Sequence, residues 1–259
     1  MAVVAAATVA AVLVLDKNDG EDDTSSGKKP AASSPAPSSS KPSEDPADGG
    51  RGDDNPRSGG EDIKPVIPGW KTVVSSKRHN AFDVPGNWVV ESSGLSVGFE
   101  DDKGKPLVIM SAPGIYKKDY CSVKREGGYE NKSDAAAAGS KGAQGAKSEA
   151  SAARIEAGNW AFAAFDQEKT GHLKVGQSKK FTSDHGLKGY TASATVTGVK
   201  KTDKCSTDGK AVTVSYTDTN GDFATWVLYS VKGTKNEVPD TTIKKIMSTL
   251  RPLKSESGF

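Results

Sequence analysis

Hydrophobic positions fall into three regimes along this chain. Residues 1–15 (MAVVAAATVAAVLVL) form an unbroken apolar run, and residues 16–62 carry almost no large apolar side chain. Over residues 70–252, short apolar runs alternate with turn signals. The third regime has the length of one domain with a sizeable core.

Within that domain the pattern predicts particular elements. Residues 71–75 (KTVVS) are β-prone, and Phe82 to Trp88 reads as a strand end followed by a Pro-Gly turn. Residues 95–99 and 107–110, separated by Asp102-Lys103-Gly104-Lys105-Pro106, predict a hairpin. An alanine-rich region follows, in which Ala153, Ala157, Trp160, Ala161 and Ala164 recur at the spacing of one helical face. Gly139, Gly142 and Gly145 weaken its first half, so the helix is placed over residues 148–165. Residues 172–199 alternate as a long hairpin with Gly186 and Gly189 in its turn region. A second hairpin runs from Val212, Val214 and Tyr216 through Asn220-Gly221 to residues 223–231, which places those strands at the centre of the sheet. Ile243, Ile246, Met247 and Leu250 form a helical stripe opened by Pro239-Asp240-Thr241 and stopped by Pro252. Consecutive hairpins plus two helices predict an α+β fold, a mostly antiparallel sheet flanked by helices in an α/β/α sandwich.

The first regime bears on location. Fifteen helical residues reach about 22 Å, short of the roughly 30 Å hydrocarbon core of a bilayer. Met1 is followed at once by apolar residues, with no basic n-region and no small-residue cleavage site, which disfavours a cleaved signal. A lipoprotein anchor needs an early cysteine, and the first is Cys121. The expectation is that residues 1–15 are the outer part of a longer transmembrane helix and that Met1 is not the natural start. The acidic Asp16, Asp19, Glu21, Asp22 and Asp23 fit an exit on the outer side, since positive flanks are retained inside. A short apolar terminus packed on the domain is the alternative.

Residues 16–65 are expected to be a disordered tether, because Ser, Pro, Gly and Asp dominate and cannot bury enough surface to offset ordering entropy. Such a chain has an end-to-end distance on the order of 35–40 Å. Arg51-Gly52-Asp53 spells an integrin-type tripeptide that such a composition produces by chance. The expected organisation is therefore an apolar segment (1–15), a tether (16–65), an extracytoplasmic domain (66–253) and a flexible tail (254–259).

Charge separates the parts further. The 259-residue chain has 35 basic and 33 acidic residues, but residues 16–62 hold 12 acidic and 6 basic ones. Residues 63–259 are left with a net charge of +8. A basic domain outside a membrane feels anionic polymers or lipid headgroups.

Candidate chemistry is sparse. Cys121 and Cys205, with no CxxC and no adjoining histidine, form an even pair that an oxidising setting turns into a disulfide; two buried free thiols are the alternative. Closing that loop would contribute about 4–4.5 kcal/mol in the chain-entropy model. Asp218-Thr219-Asn220-Gly221-Asp222 opens like a calcium loop, yet Phe223 and Tyr229 occupy the positions where the turn glycine and the bidentate carboxylate belong. Gly142 to Ser148 imitates a phosphate loop without its lysine in register. His79, His172 and His185 lie in no hydrolase or zinc signature, and Asp184 beside His185 points to the opposite face of an extended chain. The region marked for binding is 116–129, where Tyr116, Tyr120 and Tyr129 interleave with Lys117, Lys118, Lys124 and Arg125 beside Cys121. Rings and cations together suit a polyanion or a sugar-phosphate surface.

Several of these residues also form a familiar set. Trp226-Val227-Leu228-Tyr229, Pro239-Asp240, the ending Ser248-Thr249-Leu250-Arg251-Pro252, Phe82-Asp83-Val84-Pro85 with Trp88, and the cysteine pair together resemble an uncharacterised actinobacterial family. The resemblance covers residues 70–252. It implies a single-pass membrane protein with a low-complexity cytoplasmic N-terminus, a tether and one extracytoplasmic domain of unknown function, and it lends no catalytic residues. The order of elements is also similar to PsbP-like α/β/α sandwiches. This chain departs from the family in lacking the basic cytoplasmic flank.

These readings converge on a non-catalytic binding or interaction module at the cell membrane. A cell-envelope hydrolase or transferase, or an accessory protein in envelope assembly or sensing, is the alternative. Expected partners are the membrane through the N-terminal segment, and an anionic cell-envelope polymer or a protein. No cofactor, metal or nucleic acid is expected.

Overall fold

The computed structural model describes residues 63–124, 127–128 and 130–253. The apolar run, the stretch expected to be a tether up to Asp62, the tail 254–259, Arg125 and Tyr129 lie outside the described residues. Among the described residues no helix is long and apolar enough to cross a membrane.

In chain order the elements are β1 (Trp70–Ser75), β2 (Asn80–Pro85), β3 (Val89–Val90), β4 (Ser96–Glu100), β5 (Pro106–Tyr116), β6 (Cys121–Lys124), β7 (Glu130–Ser133) and β8 (Ala136–Gly142). There follow α1 (Glu149–Phe165), β9 (His172–Val175), β10 (Lys179–Thr182), β11 (Lys188–Thr197), β12 (Gly209–Thr217), β13 (Phe223–Val231), α2 (Asp240–Ser248) and β14 (Arg251–Pro252). A nine-stranded antiparallel sheet runs in the order β10-β11-β12-β13-β8-β5-β3, with β4 added on β5 and β9 on β11. The β12–β13 hairpin is central, as its pattern predicts.

Period-two alternation gives this sheet two buried faces. Val227 and Tyr229 pack with α1, whereas Trp226 and Leu228 face the opposite layer. On the first face Ala153, Ala157 and Ala161 let α1 approach the sheet closely, and Trp160 stacks on Tyr229 at 5.9 Å. The helix starts where the Ser148 side chain accepts from the Ser151 N–H at 3.2 Å, an ordinary N-cap. It ends at Asp166, whose carboxylate accepts from Thr170 and Gly171 and folds the next loop back.

The second face departs from the expected α/β/α sandwich. A three-stranded sheet, β1-β2-β14, covers it together with α2, so this layer is part sheet and part helix. Val73, Phe82 and Val84 from the small sheet join Ile243, Ile246 and Leu250 over Trp226, and Phe82 meets Trp226 edge to face at 5.7 Å. Packing is close at Gly114, where a Cβ would come within 3.1 Å of Val73 and 3.2 Å of Val84 and those side chains would have to give way slightly.

Two elements differ from the pattern. The first half of the alanine-rich region is the strand β8, despite alanine's helix propensity. Its small side chains fit between two covered layers, and a Cβ on Gly139 would lie 2.8 Å from the Ser111 carbonyl. The first arm of the 172–199 hairpin is broken into β9 and β10, which pair in succession with the same edge of β11. Gly189 lies inside β11 rather than in the turn, because a Cβ there would strike the Ser215 carbonyl.

Asp83 holds the two ends of the domain together. Fully buried, it accepts from Val66 N at 2.6 Å, Thr72 Oγ1 at 3.1 Å and Arg251 Nη2 at 2.9 Å, while its own N–H donates to Thr249 Oγ1 at 2.8 Å. The Phe82-to-Pro85 and Ser248-to-Pro252 segments are thus two halves of one structural clasp.

Candidate functional site

The region marked in the sequence forms a flank around the end of β5. Tyr116 is half-buried and stacks on Trp88 at 5.6 Å with a 28° interplanar angle. Lys117 reaches back over the Tyr116 ring at 5.6 Å and donates to Asn236 Oδ1 at 2.8 Å. Lys118 donates to Glu91 Oε1 at 2.7 Å, and that hydrogen bond and charge raise its pKa. Burial raises the pKa of Tyr120. Burial also raises that of Asp134, which accepts from the Asp119 N–H at 2.8 Å. Lys132 lies 3.7 Å from Asp119. Lys124 is exposed opposite Glu130 on the two-stranded β6–β7 ribbon. The structure brings Tyr116, Lys117, Lys118 and Tyr120 together, and interleaves them with Glu91, Asp119 and Asp134.

Cys121 and Cys205 are bonded, with an S–S distance of 2.04 Å and a Cα–Cα distance of 5.7 Å. The bond fastens the β6–β7 ribbon to the loop between β11 and β12, which also carries the exposed Lys200, Lys201 and Lys204. No free cysteine occurs among the described residues.

A pairing that sequence spacing could not reveal involves His79. At the end of a single 3-10 turn it adopts a left-handed φ of 48°, and its Nδ1 lies 2.9 Å from Asp218 Oδ2. Its Nε2 lies 3.2 Å from Asn220 Nδ2, so both ring nitrogens are engaged. Asp218, with a side chain only 2% exposed, also accepts from the N–H groups of Asn220 and Asp222 at 2.9 and 3.0 Å. Burial alone would raise its pKa, but the hydrogen bonds from His79, Asp222 and Asn220 outweigh that and lower it. The calcium-loop look-alike is therefore a hairpin turn whose first carboxylate serves its own backbone and one histidine. The other two histidines, His172 and His185, are exposed.

Below this pair, Asn80 bonds Ser140 Oγ at 2.9 Å and the Tyr216 hydroxyl, which donates to the Arg78 carbonyl at 2.8 Å. Burial pushes the Tyr216 pKa well above its ordinary value. A shallow cleft of about 230 Å³ opens beside the pair, lined by His79, Leu187, Lys188, Thr217 and Thr219. A second, of about 300 Å³, lies between β5 and α1 under the exposed Leu107 and Ile109. No three metal-ligating side chains converge among the described residues.

The β9–β10–β11 edge stands apart electrostatically. Residues 167–204 hold eight lysines against Glu168, Asp184 and Asp203, none of which lies on a strand. Lys174, Lys179, Lys180 and Lys188 are exposed, and among the described residues none of their ammonium groups makes an ion pair or hydrogen bond. Binary patterning does not single out this edge, because its lysines are spread over three strands that only the sheet registers bring together.

A family model described as "Domain of unknown function (DUF8017)" matches residues 63–255. No curated protein matches the chain. A solved structure from Bacteroides thetaiotaomicron VPI-5482 is 11% identical, with 74% of this chain and 51% of that chain covered, at a TM-score of 0.24. The chain spans about half the length of that protein, and so loose a likeness carries no argument.

Proposed function

The chain belongs to the DUF8017 family of domains of unknown function, and from that premise we propose that it is a membrane-tethered binding or interaction module acting on the extracytoplasmic side without catalysis. The observation that carries the location is the Cys121–Cys205 bond, since disulfides form and persist in oxidising compartments. The apolar run over residues 1–15 and the polar stretch behind it supply the anchor and the spacer. Among the described residues His79 is the histidine that meets a carboxylate, and against chemistry there stands its bonding: it spends both nitrogens on the neighbouring turn, leaving neither aimed at a substrate. The actinobacterial origin belongs to the same proposal and rests on the motifs at residues 82–88, 226–229, 239–240 and 248–252 together with the cysteine pair, while the PsbP resemblance rests on the order of elements along the chain alone.

The experiment has two arms. In intact cells, a membrane-impermeant amine reagent is expected to label the domain's lysines and external protease to release it; protection from both would overturn the location. In vitro, full-length protein incubated with cell-envelope polymers is expected to leave them uncleaved. Turnover of any of them would overturn the binding-only reading, and its loss in His79→Ala would assign the chemistry to that histidine.

A further inference from the structure

We propose that the β9–β10–β11 edge is a docking track for a linear polyanion, a flexible polymer with phosphate or carboxylate repeats. The proposal deepens the binding-module reading above and rests on it for its biological setting. Its first support is charge: the excess of eight lysines over three carboxylates along residues 167–204 supplies five of the domain's eight net positive charges. The second is that these charges are unspent. Lys118, Lys132, Lys141 and Lys210 elsewhere in the domain are each held by a carboxylate, whereas Lys174, Lys179, Lys180 and Lys188 are not, among the described residues. A cation without a partner has the most to gain from an incoming anion and gives up no internal bond to meet it.

The third support is shape. Val175 packs on the α1 face, so Lys174 projects from the opposite face, and the register places it across from Thr195. Lys179, across from Thr191, shares that opposite face with Ser193 and Thr195, because Ala192 and Ala194 between them face α1. Lys180 and Lys188 share the α1 face with Tyr190. The lysines therefore bracket the edge from both sides along a track of about 30 Å, the length of ten extended residues. At one end Lys200, Lys201 and Lys204 in the cystine-bound loop extend the same field.

A flexible polymer can follow such a rim. A flat bilayer would engage one face and want apolar side chains to insert, and Leu173 alone is exposed there. An added β-strand would need a continuous template, yet the edge is broken between Val175 and Lys179, where the Gly176 N–H turns inward to the Ser193 carbonyl at 2.8 Å. Edge lysines also deter edge-to-edge sheet pairing. The test must separate that role from ligand binding.

Binding of full-length protein to inorganic polyphosphate and to polygalacturonate is measured by calorimetry across a range of NaCl concentrations. The expected result is salt-sensitive binding to at least one of them, the preferred polymer showing whether phosphate or carboxylate is favoured. Replacing Lys174, Lys179, Lys180 and Lys188 with Ser is expected to weaken binding at least tenfold. The matching Lys→Arg set should retain it, and Lys117→Ser with Lys118→Ser and Lys124→Ser should change it less than twofold. Any of four results overturns the proposal: no binding to either polymer, equal loss in both Ser sets, binding confined to phosphatidylglycerol vesicles, or self-association of the edge variant with unaltered polymer binding. If neither polymer binds while the domain is still reached from outside the cell, only this inference falls; if polymers bind and the domain is sealed from the outside, only the location does.

Discussion

The Tyr116 flank and the β9–β11 edge are both rich in lysine, and they use it in opposite ways. On the flank, Lys117 and Lys118 end on Asn236 and Glu91, and the Tyr116 ring under Lys117 is itself packed on Trp88. On the edge, Lys174, Lys179, Lys180 and Lys188 end in solvent. A lysine committed to an internal carboxylate fixes a loop, and one without a partner contributes field. Counting cations along a chain does not tell these apart, because pairing depends on carboxylates that are distant in sequence. The cystine joins the two regions, with one sulfur at the start of the flank's β6–β7 ribbon and the other beside the edge's loop lysines.

The largest expected effect breaks the flank's anchor. Trp88 is almost fully buried under Tyr116, and Trp88→Ala should cost about 3–5 kcal/mol, read as a lower urea midpoint. A loss below about 1 kcal/mol would mean that the flank is not pinned to the core. Next comes the cystine. Replacing Cys121 and Cys205 with Ser is expected to cost about 2–4 kcal/mol. Amide exchange should rise in β6–β7 and residues 198–208 while β12–β13 stays protected, and uniform loosening would contradict a local clamp.

A smaller effect concerns pH. Burial raises the Asp134 pKa on the flank, so the folded state holds that proton to higher pH than the unfolded chain. Its contribution to stability therefore improves as pH falls through its folded value, and Asp134→Asn should remove that improvement. Asp218 and Glu237 act in the other direction. Burial would raise both, but bonds from His79 and Lys210 respectively, with backbone N–H groups, lower them. Their stabilisation is full above the ordinary carboxylate range near pH 4 and is lost as pH falls through their folded values. Unfolding midpoints measured from pH 7 to pH 2 should thus show late acid loss, with Asp218→Asn diminishing it. The smallest effect is on the edge. Because Lys174 and Lys179 have no ion-pair partner among the described residues, replacing them with Ser should shift stability by no more than about 0.5 kcal/mol, and a larger loss would reveal a bonded role.

Much of the fold was legible in local pattern. The stripe Ile243, Ile246, Met247 marked α2, the Asn220-Gly221 turn marked the central hairpin, and Ser148 marked the start of α1. Strand β8 was not legible: its alanines favour a helix in isolation, and only the two layers pressing on it make small side chains in extended conformation the better solution. The small sheet over the second face was missed for a related reason, since β14 is two residues long and exists through its pairing with β2. The candidate sites divide similarly. Tyr116, Lys117, Lys118, Tyr120 and Lys124 were visible as a cluster in the chain, whereas His79 and Asp218 are 139 positions apart and meet through two turns.

By itself the sequence determined the order of apolar, polar and patterned stretches along the chain, the antiparallel α+β class, the charge asymmetry between residues 16–62 and the rest, and an even cysteine pair. These follow from local periodicity and composition, which act over a few residues. Only the tertiary structure decided that Cys121 bonds Cys205, that Asp83 clasps Arg251, and which lysines meet a partner among the described residues. Those outcomes depend on distances between residues far apart in the chain, and such distances exist only once the sheet has fixed its registers.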